Sequence, residues 1–393
     1  MSAEISPATT ALDPAPAAHA GRVVAIDALR GFDMFWIIGG KPLALALGAA
    51  FIHEKTAPEW LRTQLNHTHW VGFTSYDLIM PLFLFIVGAA MPFSFARHLA
   101  SGASHRVMHW RLASRFVLLW VLGMMVQGNL LKLDWAIFRP ATNVLQAIAF
   151  GYTATGLILL HVPRRWQGWF PVGLLMGYWL IMVLVPVPGL GAGVLEEDRN
   201  LATWIDLQVL GSHAYRHAVN GGFTTHYAYL LTMLPFSATV MIGMHAGRWL
   251  GAAHTARRKL SGLVIAGVGA LVLGGLWSLW FPIIKPIFTS SMVLWACGWS
   301  LLLLALFYAL IDVLGSRRWA FPFVVIGANA LFAYVVSHIF GAQVSGVSST
   351  LFTGLIGHLQ PFIPGPVVRA CGTVLVLWLV LWFLYRNKLF WRV

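Results

Sequence analysis

The chain has 393 residues, of which 59% are apolar and only 10% charged, with a formal net charge of +13. Soluble domains carry roughly 25% charged residues, so this composition excludes a water-soluble protein and makes a bilayer the solvent. The excess positive charge does not point to a nucleic-acid partner, because it falls in short clusters between long apolar runs.

Residues 1–21 are rich in Ala, Pro, Ser and Thr and lack both the basic and the apolar region of a signal peptide. They are expected to form a disordered cytoplasmic tail, with 22–393 as one transmembrane domain. Predominantly apolar runs of about 20 residues cross a hydrocarbon core of roughly 30 Å as helices, whereas a barrel would need short strands of alternating polarity. The continuous runs seen here predict an all-α, polytopic bundle of about ten spans.

Span 1 is expected over 28–51. Its start carries Asp27, Arg30 and Asp33. Asp27 and Arg30 are three apart and can pair on one helix face, either as a structural anchor or as a polar lining for a cytoplasmic ligand. Span 2 is expected over 77–96, and the stretch before it holds Asn66, His67, His69, Trp70 and Asp77. Ionisable groups are informative in such a chain, because each costs roughly 2.5–3.5 kcal/mol at a helix centre on insertion scales. Asp77 is also placed where a helix N-terminus favours negative charge, and Pro81 predicts a kink. His67 and His69 have no third ligand nearby in the sequence, so no metal is expected.

Spans 3 to 5 are expected over 112–131, 142–161 and 167–186. Between the third and fourth lies a polar segment from Lys132 to Arg139, leading to Asn143 and Gln146. The long connection 187–226 carries Glu196, Glu197, Asp198, Trp204 and Asp206, a solvated loop or a surface suited to a sugar. Its glycines are no dinucleotide fingerprint, since no strand precedes them. The remaining spans are expected over 228–249, 260–281, 291–313, 321–341 and 366–385. Cys297 and Cys371 fall in separate apolar runs and read as inert thiols.

Every second loop is basic. The clusters are Arg97, Arg106, Arg111 and Arg115; Arg164 and Arg165; Arg257, Arg258 and Lys259; Arg317 and Arg318; and Arg386, Lys388 and Arg392. The positive-inside rule puts these loops and both termini in the cytoplasm, and His67 on the opposite side. Proximity to anionic lipid headgroups accounts for most of the charge.

Two segments carry a resemblance. Arg22-Val-Val-Ala-Ile-Asp-Ala-Leu-Arg-Gly-Phe-Asp-Met-Phe-Trp-Ile-Ile-Gly-Gly40 and His67-Thr-His-Trp-Val-Gly-Phe-Thr-Ser-Tyr-Asp-Leu-Ile-Met-Pro81 resemble the hallmarks of the heparan-α-glucosaminide N-acetyltransferase family. Arg139 with Val144-Leu145-Gln146, the Pro186 to Gly193 stretch, Phe307 to Asp312, Arg318 to Phe323 and Gly327-Ala-Asn329 follow in order. The chain looks most like bacterial inner-membrane members, including NagX-type proteins. The resemblance implies transfer of an acetyl group from cytoplasmic acetyl-CoA, as co-substrate, to the amine of a glucosamine-type sugar or glycan on the far side. It implies a multi-pass bacterial inner-membrane protein in contact with lipid, without metal or nucleic acid, and suggests a homodimer. His67 matches the family's catalytic histidine and Asp77 the aspartate of the same motif. Arg115 matches an arginine placed to meet CoA phosphates; with it Asp27, Arg30 and Gln146 are the cofactor candidates. Asn66, His69, Trp70, Lys41 and Arg139 are the acceptor candidates. Lys41 is a departure, since relatives carry Asn or Asp late in span 1. The acidic residue usual before the Leu230 to Pro235 stretch is also missing, with His226 and Tyr227 there instead.

The chemistry fits those residues. Acetyl transfer to an amine needs a base, and an imidazole of unperturbed pKa about 6.5 suits it. Asp77 can orient the ring, and Asn66, Trp70 or a helix N-terminus can donate to the oxyanion. Direct transfer and an acetyl-histidine route both remain open. The alternative reading is an amino-sugar permease, whose signs would be broken helices and a polar site within the membrane.

Overall fold

A computed structural model describes residues 23–391 except 103, 142, 215, 220, 221, 226, 227 and 360–362. The expected tail, Arg22, His226, Tyr227 and Arg392 lie outside the described residues. Among the described residues the fold is helical apart from one short hairpin, as the unbroken apolar runs predict.

The first apolar run, Val24–Phe51, is interrupted: α1 (Val24–Phe35) passes through a π-helical turn at Trp36–Gly40 into α2 (Lys41–Phe51). Gly39 leaves helical geometry there, and a Cβ on it would sit 2.6 Å from a Val374 methyl. A glycine within a π-bulge is a regular cause of a kink. The short α3 (Glu59–Gln64) follows, then a 3₁₀ turn at Ser75–Leu78 that opens α4 (Ile79–Ala100). After α4 come α5 (His105–Val126), α6 (Val144–His161), α7 (Arg164–Gln167) and α8 (Trp169–Leu184). The long connection folds into α9 (Leu201–Leu210) and an antiparallel hairpin, β1 (Arg216–Val219) with β2 (Gly222–Thr225), Arg216 facing Thr225.

The second half holds α10 (Met233–Gly251), α11 (Ala256–Trp277) and α12 (Ser290–Phe307), the last prolonged by a π-helical stretch to Val313. It ends with α13 (Phe321–Ala328), α14 (Ala330–Ile339), α15 (Gly341–Leu359) and α16 (Gly365–Arg386). Among the described residues seven helical stretches are long and apolar enough to cross a membrane, and eight if α13 and α14, bent by 76°, count as one broken span. The expected bundle of about ten spans is met in kind. Two of the expected runs correspond to helices of lower apolarity: α5 carries Arg106, Arg111 and Arg115, and α10 carries His245 and Arg248. α15, inside no expected span, is a helix of its own.

Packing explains how α10 tolerates polarity. Most of it is buried against α4 rather than presented outward. A Cβ on Gly88 of α4 would lie 1.9 Å from the Val240 carbonyl oxygen, and one on Gly243 of α10 would lie 2.0 Å from that of Phe85. Only glycine permits backbones this close, the small-residue packing common between membrane helices. By contrast α11 turns Val264, Ile265, Val268, Val272, Leu273 and Leu276 outward, a face for hydrocarbon. The protein is a multi-pass membrane protein with α4, α10 and α12 at its centre.

Two long-range clasps close the bundle. Asp312 accepts from the Val24 and Ala25 backbone N–H groups at 3.3 and 2.9 Å, satisfying orphan donors at the start of α1. Asn329, at the break between α13 and α14, accepts from Trp391 N at 2.9 Å and donates to Leu389 O at 3.2 Å.

Candidate active site

The segment 65–74 is folded around one carboxylate. Thr74 caps the 3₁₀ turn in a reciprocal box with Asp77. Asp77 Oδ2 accepts from Thr74 N at 3.1 Å and Thr68 N at 3.2 Å, and lies 3.0 Å from Thr74 Oγ1. The other oxygen, Oδ1, is 2.8 Å from His67 Nδ1. Asp77 is fully buried and the His67 side chain is half-exposed. The capping motif thus leaves one carboxylate oxygen to hold the imidazole.

A third group completes the cluster. The connection between α11 and α12 is clamped by Thr289, whose hydroxyl donates to Pro282 O at 2.7 Å and accepts from Ile284 N at 3.1 Å. It pairs with the histidine segment through Gly72 N and Ile283 O at 2.9 Å. Lys285, held by this connection and only 5% exposed, places Nζ 3.0 Å from Asp77 Oδ1 and 2.7 Å from His67 Nδ1. Burial pulls the Lys285 ammonium down to about 8, with Asp77 opposing. Burial also lowers His67 below the usual imidazole value, the Asp77 bond opposing and the Lys285 charge adding to the effect. A neutral imidazole is therefore the form expected near neutral pH.

Around it, Lys41 donates to Asn66 Oδ1 at 2.9 Å and sits 4.6 Å from the centre of the Tyr76 ring, which itself packs 4.9 Å from the His67 ring. Behind His67 opens a cavity of about 140 Å³, lined on its polar side by His67, Tyr76, Gln127, Lys285, Tyr334 and His338 and elsewhere by apolar groups including Ile37, Phe83, Leu145 and Ile148. Leu331, Tyr334 and His338, spaced at i, i+3 and i+7, bring one face of α14 to it.

The expected site residues thus separate into groups. Lys41, Asn66, His67 and Asp77 come together. Trp70 Nε1 donates to Leu195 O at 2.8 Å and His69 lies 3.5 Å from Glu197, so these two tie the segment to the long connection instead of facing the cavity. Arg139 donates to the carbonyl of Phe138 at 2.9 Å in its own loop. Asp27 and Arg30 approach at 3.5 Å on α1. Arg115 stacks 3.9 Å over the Tyr152 ring, and its buried Nε has no hydrogen-bond partner among the described residues.

Gln146, expected among the cofactor contacts, is engaged locally. Its amide oxygen accepts from Asn143 N at 3.2 Å, and its nitrogen donates to Pro140 O at 2.7 Å. The side chain is spent on the capping box that starts α6 and does not line the cavity. Lys285, Tyr334 and His338 are the residues the sequence reading missed. The one available signal for Lys285 was a lysine set between Pro282 and Pro286, between two apolar runs.

No protein-family profile matches the chain. It is similar to the human heparan-alpha-glucosaminide N-acetyltransferase, at 24% identity over an alignment of 446 positions that takes in 100% of this chain and 62% of that protein. The mouse protein of the same name aligns at 24% identity over 430 residues, 95% of this chain and 61% of that protein. The chain therefore spans about three-fifths of the length of the curated relatives it matches.

Proposed function

We propose that this chain is a transmembrane N-acetyltransferase that moves an acetyl group from acetyl-CoA to the amine of a glucosamine-type sugar. The observation that carries the reading is a histidine, bonded to a buried carboxylate, at the wall of a cavity in a multi-pass protein. Similarity across 95% or more of the chain to two proteins named as glucosaminide N-acetyltransferases supports it.

His67 is the base. With Nδ1–H donated to Asp77, its Nε2 lone pair takes the proton of the attacking amine. The amine nitrogen bonds to the thioester carbonyl carbon, the C–S bond breaks, and the thiolate leaves as CoA. Lys41, Asn66 and Tyr76, grouped beside the ring, are placed to meet the acceptor. The apolar part of the cavity suits the thioester end of the pantetheine arm. In this reading acetyl-CoA comes from the basic, cytoplasmic face of a bacterial inner membrane, where Asp27, Arg30 and Arg115 lie toward its approach, and the sugar comes from the other side.

Purified protein given labelled acetyl-CoA and glucosamine should form N-acetylglucosamine, and His67→Ala should abolish it. Full activity in that variant, with the fold intact, would remove His67 from the role of base.

A further inference from the structure

Three groups compete for one hydrogen-bonding position. His67 Nδ1, Asp77 Oδ1 and Lys285 Nζ form a triangle with sides of 2.7, 2.8 and 3.0 Å. A neutral imidazole has one N–H and one lone pair. If Nδ1 carries the proton, it donates to Asp77, but it then points a hydrogen at a nitrogen 2.7 Å away that, as an ammonium, has only hydrogens to offer. If Nδ1 carries the lone pair, it accepts from the ammonium, and Asp77 is satisfied by Lys285 and by the donors of Thr68 and Thr74. The charged lysine is therefore compatible with the Nε2–H tautomer, and the neutral lysine with the Nδ1–H tautomer.

We propose that Lys285 is a positioning residue that decides whether His67 faces the cavity as a proton donor or as a base: an ammonium at Nζ holds the Nε2–H form, and an amine permits the Nδ1–H form. Burial of the lysine, which brings its titration down to about 8, makes both states accessible near neutral pH. Among the described residues the other titratable groups around the triangle are Lys41 and Tyr76 beside His67, and Tyr334 and His338 in the lining of the cavity. The role in turnover rests on the transferase reading. There the proton of the attacking amine passes to Nε2 while the Nδ1 proton moves to the Lys285 amine, so the imidazole stays neutral and the lysine becomes an ammonium. When the C–S bond breaks, Nε2–H protonates the leaving thiolate and Nδ1 recovers its proton from Lys285. The sum is amine plus thioester to amide plus thiol, with every proton accounted for.

The test has two arms. In the first, the full chain in detergent is labelled with ¹⁵N-histidine and studied by NMR without substrate, His67→Gln identifying the signal. The wild type should pass from the Nε2–H to the Nδ1–H tautomer around pH 8, and Lys285→Met should hold Nδ1–H over the same range. A His67 signal that keeps one tautomer throughout, or that is the same in Lys285→Met, overturns the proposal. The second arm is the pH–rate profile of acetyl transfer. Lys285→Met, which keeps the Nδ1–H form but has no amine to take its proton, should lose about 10-fold together with the rise in rate through pH 8, while Lys285→Arg, permanently charged, should lose about 100-fold or more with its melting temperature preserved. The opposite order, with arginine rescuing and methionine inactive, would make Lys285 only a structural ion-pair partner. Absence of acetyl transfer in the wild type would defeat the function proposed above, and the NMR arm would still decide the tautomer.

Discussion

His67 and Asp77 are ten positions apart in one connected segment, and the same hydrogen bonds that cap the next helix hold the pair. Asp77 makes most of its contacts with backbone N–H groups and Thr74, so its carboxylate is anchored before any ligand arrives. Asp77→Asn would keep the shape but could donate where the carboxylate only accepts, turning the ring to the wrong tautomer. The expected loss is about two to four orders of magnitude in kcat with little change in KM, read by steady-state kinetics at saturating acetyl-CoA. A KM effect alone would place Asp77 in binding instead. At this scale the histidine and aspartate were readable from their motif. Lys285 was not, because it is 218 residues away and its setting between two prolines and two apolar runs does not say which segment it will meet.

At the scale of elements, the close backbone contact of α4 and α10 makes a strong prediction. Gly243→Leu would force a side chain into the Phe85 carbonyl at 2.0 Å, and should destabilise by at least about 1–3 kcal/mol. A thermal melt in detergent reads this directly, with Gly173→Leu, whose Cβ meets nothing within 4 Å, as the control. A second prediction concerns α9. Asp206 accepts from Leu230 N at 2.9 Å, and burial pushes its carboxyl up to about 7, above an unfolded value of about 3.9. The folded state keeps a proton that the unfolded chain has released between those values. The resulting stability is present below about pH 4 and is lost as pH rises to about 7. Melting temperatures across that range should fall less steeply in Asp206→Asn than in the wild type. Helices such as α8 and α16 were legible from apolar runs alone. The breaks at Trp36–Gly40 and between α13 and α14 were not, because a run of apolar residues says that a helix is soluble in lipid and does not say where it bends.

For the whole molecule, the quantity to test is orientation. The basic loops predict that Arg258→Cys reacts with an impermeant thiol reagent from the cytoplasmic side and Glu54→Cys from the opposite side, each in a background lacking Cys297 and Cys371. Labelling of both from one side would overturn the orientation. Proteoliposomes without CoA should accumulate no labelled glucosamine; accumulation would support the permease.

What the sequence by itself determined is what neighbouring residues can encode: solubility in a bilayer, written in continuous apolar runs, and a histidine with its carboxylate, written in one short segment. What only the tertiary structure decided is whatever needs distant segments to meet. The cavity draws on α14, the triangle on the connection between α11 and α12, and the glycine interface on α4 and α10. Hydrogen bonds and steric contacts act over a few ångströms, so a site built from segments hundreds of positions apart exists only once the chain has folded.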